Sequence, residues 1–125
     1  MELTVRGRGV RITEQLRARA EHKLAKLERL DPRADRIEIE VVPEGSARSN
    51  GTNRIEGAFF TPRHVVRATA SAPDLEAALD LLAERLERQV RDYREKVAKR
   101  KKRLLQASNR LKSPRIRPEG RAEQP

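Results

Sequence analysis

Residues 72–97 read APDLEAALDLLAERLERQVRDYREKV. Within them Leu75, Leu79, Leu82, Leu86, Val90, Tyr93 and Val97 fall within about 80° of one another at 3.6 residues per turn. The stretch is therefore an unbroken amphipathic helix of about seven turns or more, with Ser71 or Asp74 as its cap. An apolar stripe of that length needs a partner layer, and the preceding sequence supplies one.

Immediately upstream, HVVRATAS (64–71) and RIEGAFFT (54–61) read as two strands joined at Thr61-Pro62-Arg63, a short antiparallel hairpin in which Gly57 weakens the first strand. PEGSARSNGTN (43–53) is too rich in turn formers to be anything but a loop. Before it, Ile37, Ile39 and Val41 alternate with Arg36, Glu38 and Glu40, a strand of period two. Farther back, Leu16, Ala20, Leu24, Leu27 and Leu30 recur at helical spacing behind Thr13 as cap, and Asp31-Pro32 ends that helix. Leu3 and Val5 alternate with Glu2, Thr4 and Arg6, predicting a strand that closes near Gly7-Arg8-Gly9.

The order β-α-β-β-β-α predicts an α+β fold: a four-stranded sheet with two helices packed on one face, resembling a double-stranded RNA-binding domain. The other face, bearing Thr4, Arg6, Glu38 and Glu40, is left to solvent. Phe59, Phe60 and Tyr93 are the only aromatics in 125 residues, so the core is small and built from Leu, Val and Ile. Phe59 and Phe60 point to opposite faces of their strand, and at least one of them is core.

Charge separates the chain into two parts. Residues 1–95 hold 18 basic and 17 acidic side chains, whereas residues 96–125 hold 11 and 2. The expected organisation is a folded domain at 1–103 followed by a basic, disordered tail or linker at 104–125. A net charge of +10, with arginine outnumbering lysine 22 to 7, points to polyanionic partners. On the first helix Arg19, Lys23 and Lys26 flank the apolar stripe, and none has an acid three or four residues away. On the second, Glu76, Asp80, Glu84 and Glu87 dominate the first half and Arg85, Arg88, Arg91, Arg94, Lys96 and Lys99 through Arg103 the second. Ten cations in residues 85–103 exceed what a helix C-terminus needs for its own stability.

Catalytic and cofactor chemistry is missing from the pattern. There is no cysteine, no metal-ligand spacing around His22 or His64, no phosphate-binding glycine loop and no evident acid–base pair. The expectation is a non-enzyme with no metal, no cofactor and no small-molecule substrate. Without an apolar run long enough for a signal or a span, the expected setting is cytoplasmic, away from membranes. The base-stacking aromatics of single-strand binders are also missing, so recognition is expected to rest on backbone shape and charge.

GRGVRITEQLRARAEHKLAKLERL (7–30) and APDLEAALDLLAERLERQVRDYREKV (72–97) resemble the two helical signatures of the bacterial ribosome hibernation promoting factor and ribosome-associated inhibitor family. The resemblance covers residues 1 to about 103 and includes the element order. It implies a protein that binds rRNA of the small ribosomal subunit between head and body, occupies the path of messenger RNA and tRNA, and silences translation in starvation or stationary phase. By position, Lys23 and Lys26 resemble the family's basic pair on the first helix. Arg85, Arg88, Arg94 and Lys96 resemble its basic positions on the second, and Arg91 and Lys99 extend that strip. The pattern departs at Asp92 and Tyr93, where relatives often carry a cation and a histidine, and at Glu76, where an aromatic is common. Long members add a linker and a small domain through which ribosomes pair, and this chain stops in what resembles that linker, as a short form or a piece of a long one. The rival readings are a general double-stranded RNA-binding module and a protein-interaction adaptor.

Overall fold

A computed structural model of the chain describes residues 1–43 and 52–112. The elements are β1 (Glu2–Gly7), α1 (Glu14–Leu30), β2 (Arg36–Pro43), β3 (Asn53–Thr61), β4 (His64–Ala72) and α2 (Leu75–Lys112). The strands form one sheet in sequential order, β1 parallel to β2 and the other neighbours antiparallel. This is the α+β arrangement expected from the sequence.

Register explains the burial. Leu3, Ile37, Phe59 and Val66 form one row across the sheet, followed by Val5, Ile39, Gly57 and Ala68, and then by Gly7, Val41, Ile55 and Ala70. All lie on one face, because residues paired across neighbouring strands share a face and side chains alternate along each strand. On that face the core takes Leu16, Ala20, Leu24 and Leu27 from α1 and Ala78, Leu79, Leu82, Ala83, Leu86 and Val90 from α2. The opposite face carries Thr4, Arg6, Glu38, Glu40, Arg67 and Phe60. Phe59 is 1% exposed, while the half-buried Phe60 lies under the Arg36 guanidinium at 3.9 Å.

Local chemistry sets the element ends. The Thr13 hydroxyl accepts from the Leu16 amide at 3.1 Å and caps α1. Asp74, not Ser71, opens α2: its carboxylate accepts from the Glu76 amide at 3.2 Å and its carbonyl from the Ala78 amide at 3.0 Å, whereas Ser71 belongs to β4. β2 and β3 run into both ends of the expected loop, with Pro43 opposite Asn53, and the rest of that loop lies outside the described residues.

The chain divides into two compact units, Met1–Arg91 and Asp92–Pro125. The sequence reading closes the folded domain at 103; the core closes earlier, because Val90 is the last α2 side chain in it. Helix, by contrast, continues to Lys112, so 104–112 is not the irregular tail expected there. Leu104, Leu105 and Leu111 are strong helix formers, and no proline intervenes before Pro114. Residues 113–125 of the expected tail lie outside the described residues. No helix among those described is long and apolar enough to cross a membrane.

Gly57 acquires a specific role from this packing. A Cβ there would come within 3.1 Å of Ile39 Cδ1 and Leu82 Cδ2 and within 3.2 Å of Leu86 Cδ1. The missing side chain lets α2 lie close over the middle of the sheet. Gly57→Val is expected to destabilise the protein by about 1–3 kcal/mol, as core overpacking does, and Gly57→Ala by less, since methyl tips can yield by tenths of an ångström. Urea-denaturation midpoints check this, and a valine variant as stable as the parent would contradict the close approach.

Candidate nucleic-acid interface

α1 and α2 lie over the same sheet face, and side chains flanking their buried stripes meet across the gap. Arg19 forks onto Asp80, with Nη2 to Oδ2 at 2.9 Å and Nε to Oδ1 at 3.3 Å, and its Nη1 stands 3.9 Å from Glu76. Lys23 Nζ lies 3.7 Å from Asp80 Oδ1. Lys26 Nζ lies 2.9 Å from Glu87 Oε1, while Arg91 donates to Glu87 Oε2 from the next turn of α2.

The strip on α1 therefore has partners, supplied by the other helix rather than by its own. Sequence spacing reveals acids one turn away along a helix; it does not reveal those 61 residues distant, as Asp80 is from Arg19. The acidic first half of α2 was visible as a charge run, and its alignment with α1 was the missing fact.

The pairing shifts protonation in matching directions. The Arg19 hydrogen bond, reinforced by the charges of Arg19 and Lys23, holds the Asp80 carboxyl below its ordinary range. Hydrogen bonds from Lys26 and then Arg91 do the same for Glu87. Arg19 is correspondingly raised by its bond to Asp80.

The remaining candidates are placed differently. Arg85 Nη1 donates to the Thr69 carbonyl at 2.6 Å, which ties an exposed guanidinium to the backbone of β4. Arg88 is exposed and has no ion pair among the described residues. Within the first unit, then, Lys23, Lys26, Arg85, Arg88 and Arg91 all belong to the paired helices, the first two and Arg91 already engaged by carboxylates. Arg94, Lys96 and Lys99 follow Asp92 on the helix of the second unit, where Arg94 is half-buried and the two lysines are exposed. Among the described residues no cluster of His, Cys, Asp and Glu is placed to hold a metal ion.

A family model described as "Sigma 54 modulation protein / S30EA ribosomal protein" matches residues 3–98. The chain is 28% identical over 95 residues to the ribosome hibernation promotion factor of Deinococcus radiodurans, covering 76% of this chain and 50% of that one. It is 30% identical over 100 residues to the ribosome hibernation promoting factor of Azotobacter vinelandii, covering 80% and 89%. The chain thus spans about half the length of the Deinococcus protein and most of the Azotobacter one. Its fold matches the Protein Y N-terminal domain of Thermus thermophilus with a TM-score of 0.64 and 29% identity, over 74% of this chain and 99% of that domain.

The interhelical pairs carry a pH signature. Asp80 and Glu87 are depressed in the folded state, so their stabilisation is present in full above the ordinary carboxylate range and is lost as pH falls through the depressed values. Asp80→Asn with Glu87→Gln is expected to lower stability at neutral pH and to flatten its decline below about pH 4. Urea midpoints measured from neutral to strongly acid pH provide the check; parallel curves for parent and variant would show that the pairs do not contribute.

Proposed function

The chain belongs to the sigma 54 modulation protein / S30EA ribosomal protein family, and on that premise we propose that it is a ribosome-binding translation silencer. Its partner in this reading is the small ribosomal subunit, bound through rRNA in the channel that messenger RNA and tRNA use, under starvation or stationary phase in the cytoplasm. The observation that supports it best is the pair of helices on one sheet face, with basic side chains beside each buried stripe. Such an arrangement can follow a folded phosphate backbone without reading bases. Lys23 and Lys26 contribute from α1, and Arg85, Arg88 and Arg91 from α2. Arg94, Lys96 and Lys99 add phosphate contacts from the second unit. Silencing is by occupancy, which needs no catalytic group.

Occupancy has a stoichiometric signature. In a purified translation system the protein is expected to inhibit only as it approaches one molecule per ribosome; inhibition of many ribosomes by one molecule would require turnover and defeat the reading.

The surface itself is tested by two charge-matched variants. Replacing Lys23, Lys26, Arg85 and Arg88 with alanine touches no core residue and uses a good helix former, so the fold is expected to persist while sedimentation with ribosomes at physiological salt is lost. Replacing Arg6, Arg8, Arg63 and Arg67, exposed on the outer sheet face and its loops, lowers the net charge equally and is expected to leave binding within a few-fold. Equal affinities of the two variants at matched salt would reduce the attraction to bulk charge.

A further inference from the structure

Arg19, Lys23, Lys26 and Arg91 bring four positive charges to one side of the helix pair, and Glu76, Asp80 and Glu87 bring three negative charges within 3.9 Å of them. The cluster is nearly neutral although its cations are many. Asp80 and Glu87 are the shared members: Asp80 serves Arg19 and Lys23, and Glu87 sits between Lys26 and Arg91. Arg85 and Arg88, which fall between Asp80 and Arg91 on the same helix, have no carboxylate partner among the described residues.

Resting on the reading of this surface as an RNA interface, we infer that Asp80 and Glu87 are specificity-determining residues: they mask the α1 cations against polyanions of arbitrary shape and release them only to a phosphate array that engages Arg85 and Arg88 at the same time. The physical argument is competition. A phosphate arriving at Lys23 or Lys26 alone must displace a carboxylate already in place, and it meets that carboxylate's repulsion while doing so. A phosphate array already anchored at Arg85 and Arg88 makes the exchange intramolecular, at a high effective concentration. A random duplex therefore sees a weakly charged face, whereas a complementary folded RNA sees the whole set. Both carboxyls are held ionised by their partners, so the mask persists throughout the neutral range.

The test uses the full chain and a random-sequence RNA duplex of about 20 base pairs, over a salt series. Asp80→Asn with Glu87→Gln keeps side-chain shape and removes both charges. It is expected to bind the duplex about tenfold more tightly than the parent, with a log–log salt slope steeper by roughly 1.4–1.8, the equivalent of two further phosphate contacts. The control, Glu21→Gln with Glu84→Gln, makes the same change of net charge on the same two helices at exposed positions that have no ion pair among the described residues. It is expected to change affinity less than threefold. Equal affinity and slope for the two variants overturn the proposal, as does weaker binding by the first, which would make the carboxylates organisers of the cations instead of masks. Circular dichroism confirms folding, and if the double variant does not fold, Glu87→Gln alone is expected to show half the change in slope, an unchanged slope overturning the mask. Ribosome sedimentation runs in parallel, and the ratio of ribosome to duplex affinity is expected to fall at least fivefold in the double variant; an unchanged ratio counts against specificity. If neither parent nor variant sediments with ribosomes, the proposed function fails while the duplex series still decides the mask.

Discussion

How closely α2 can approach β3 governs everything on the core side of the sheet, and at the centre of that strand the limit is a missing side chain. Gly57 lies in the same row as Val5, Ile39 and Ala68. Leu82 and Leu86 descend over it, within 3.1–3.2 Å of where a Cβ would stand. The small residues along the path have the same effect: Ala68 and Ala70 lie beneath, and Ala78 and Ala83 face inward from the helix. With so few aromatics available, close approach rather than bulk fills this core, and it brings the helix flanks near enough to α1 for charged side chains to meet.

That proximity turns a charge gradient along one helix into a pairing between two. The acids of α2 occupy its first half, where the macrodipole favours them, and this half lies alongside α1. The excess cations lie farther along, most of them after the last core residue, Val90. Burial of the stripe and placement of the charge thus follow from one element whose two ends have different work. The outer sheet face shows the opposite economy. Arg36 with Glu38 and Asp35, Arg8 with Glu40, and Arg54 with Glu56 pair locally along and across the strands, which leaves that face charged but balanced.

Much of this was readable from periodicity alone. A period of two placed β1 and β2, the turn at Thr61-Pro62-Arg63 placed the hairpin of β3 and β4, a period of 3.6 placed two helices, and the alternation of Phe59 with Phe60 put one ring on each face. Propensity was less informative at ends. Ser71 and Asp74 are both capping residues, and only strand pairing to Arg54 removed Ser71 from contention. The segment from 104 reads as a disordered basic tail, yet the helix continues through Leu104, Leu105 and Leu111 to Lys112.

The order of the elements, their buried faces and the identity of the basic residues were determined by the sequence itself, because each depends on spacings of a few residues along one strand or helix. Tertiary structure alone decided that Lys23 and Lys26 face Asp80 and Glu87, that Arg85 is tied to the Thr69 carbonyl, and that Gly57 is the floor beneath α2. Those facts join residues of separate elements, and no local period encodes which flank of one helix will meet which flank of another. The meeting is set by how two apolar stripes share a single sheet face, and the charge left available on the surface follows from it.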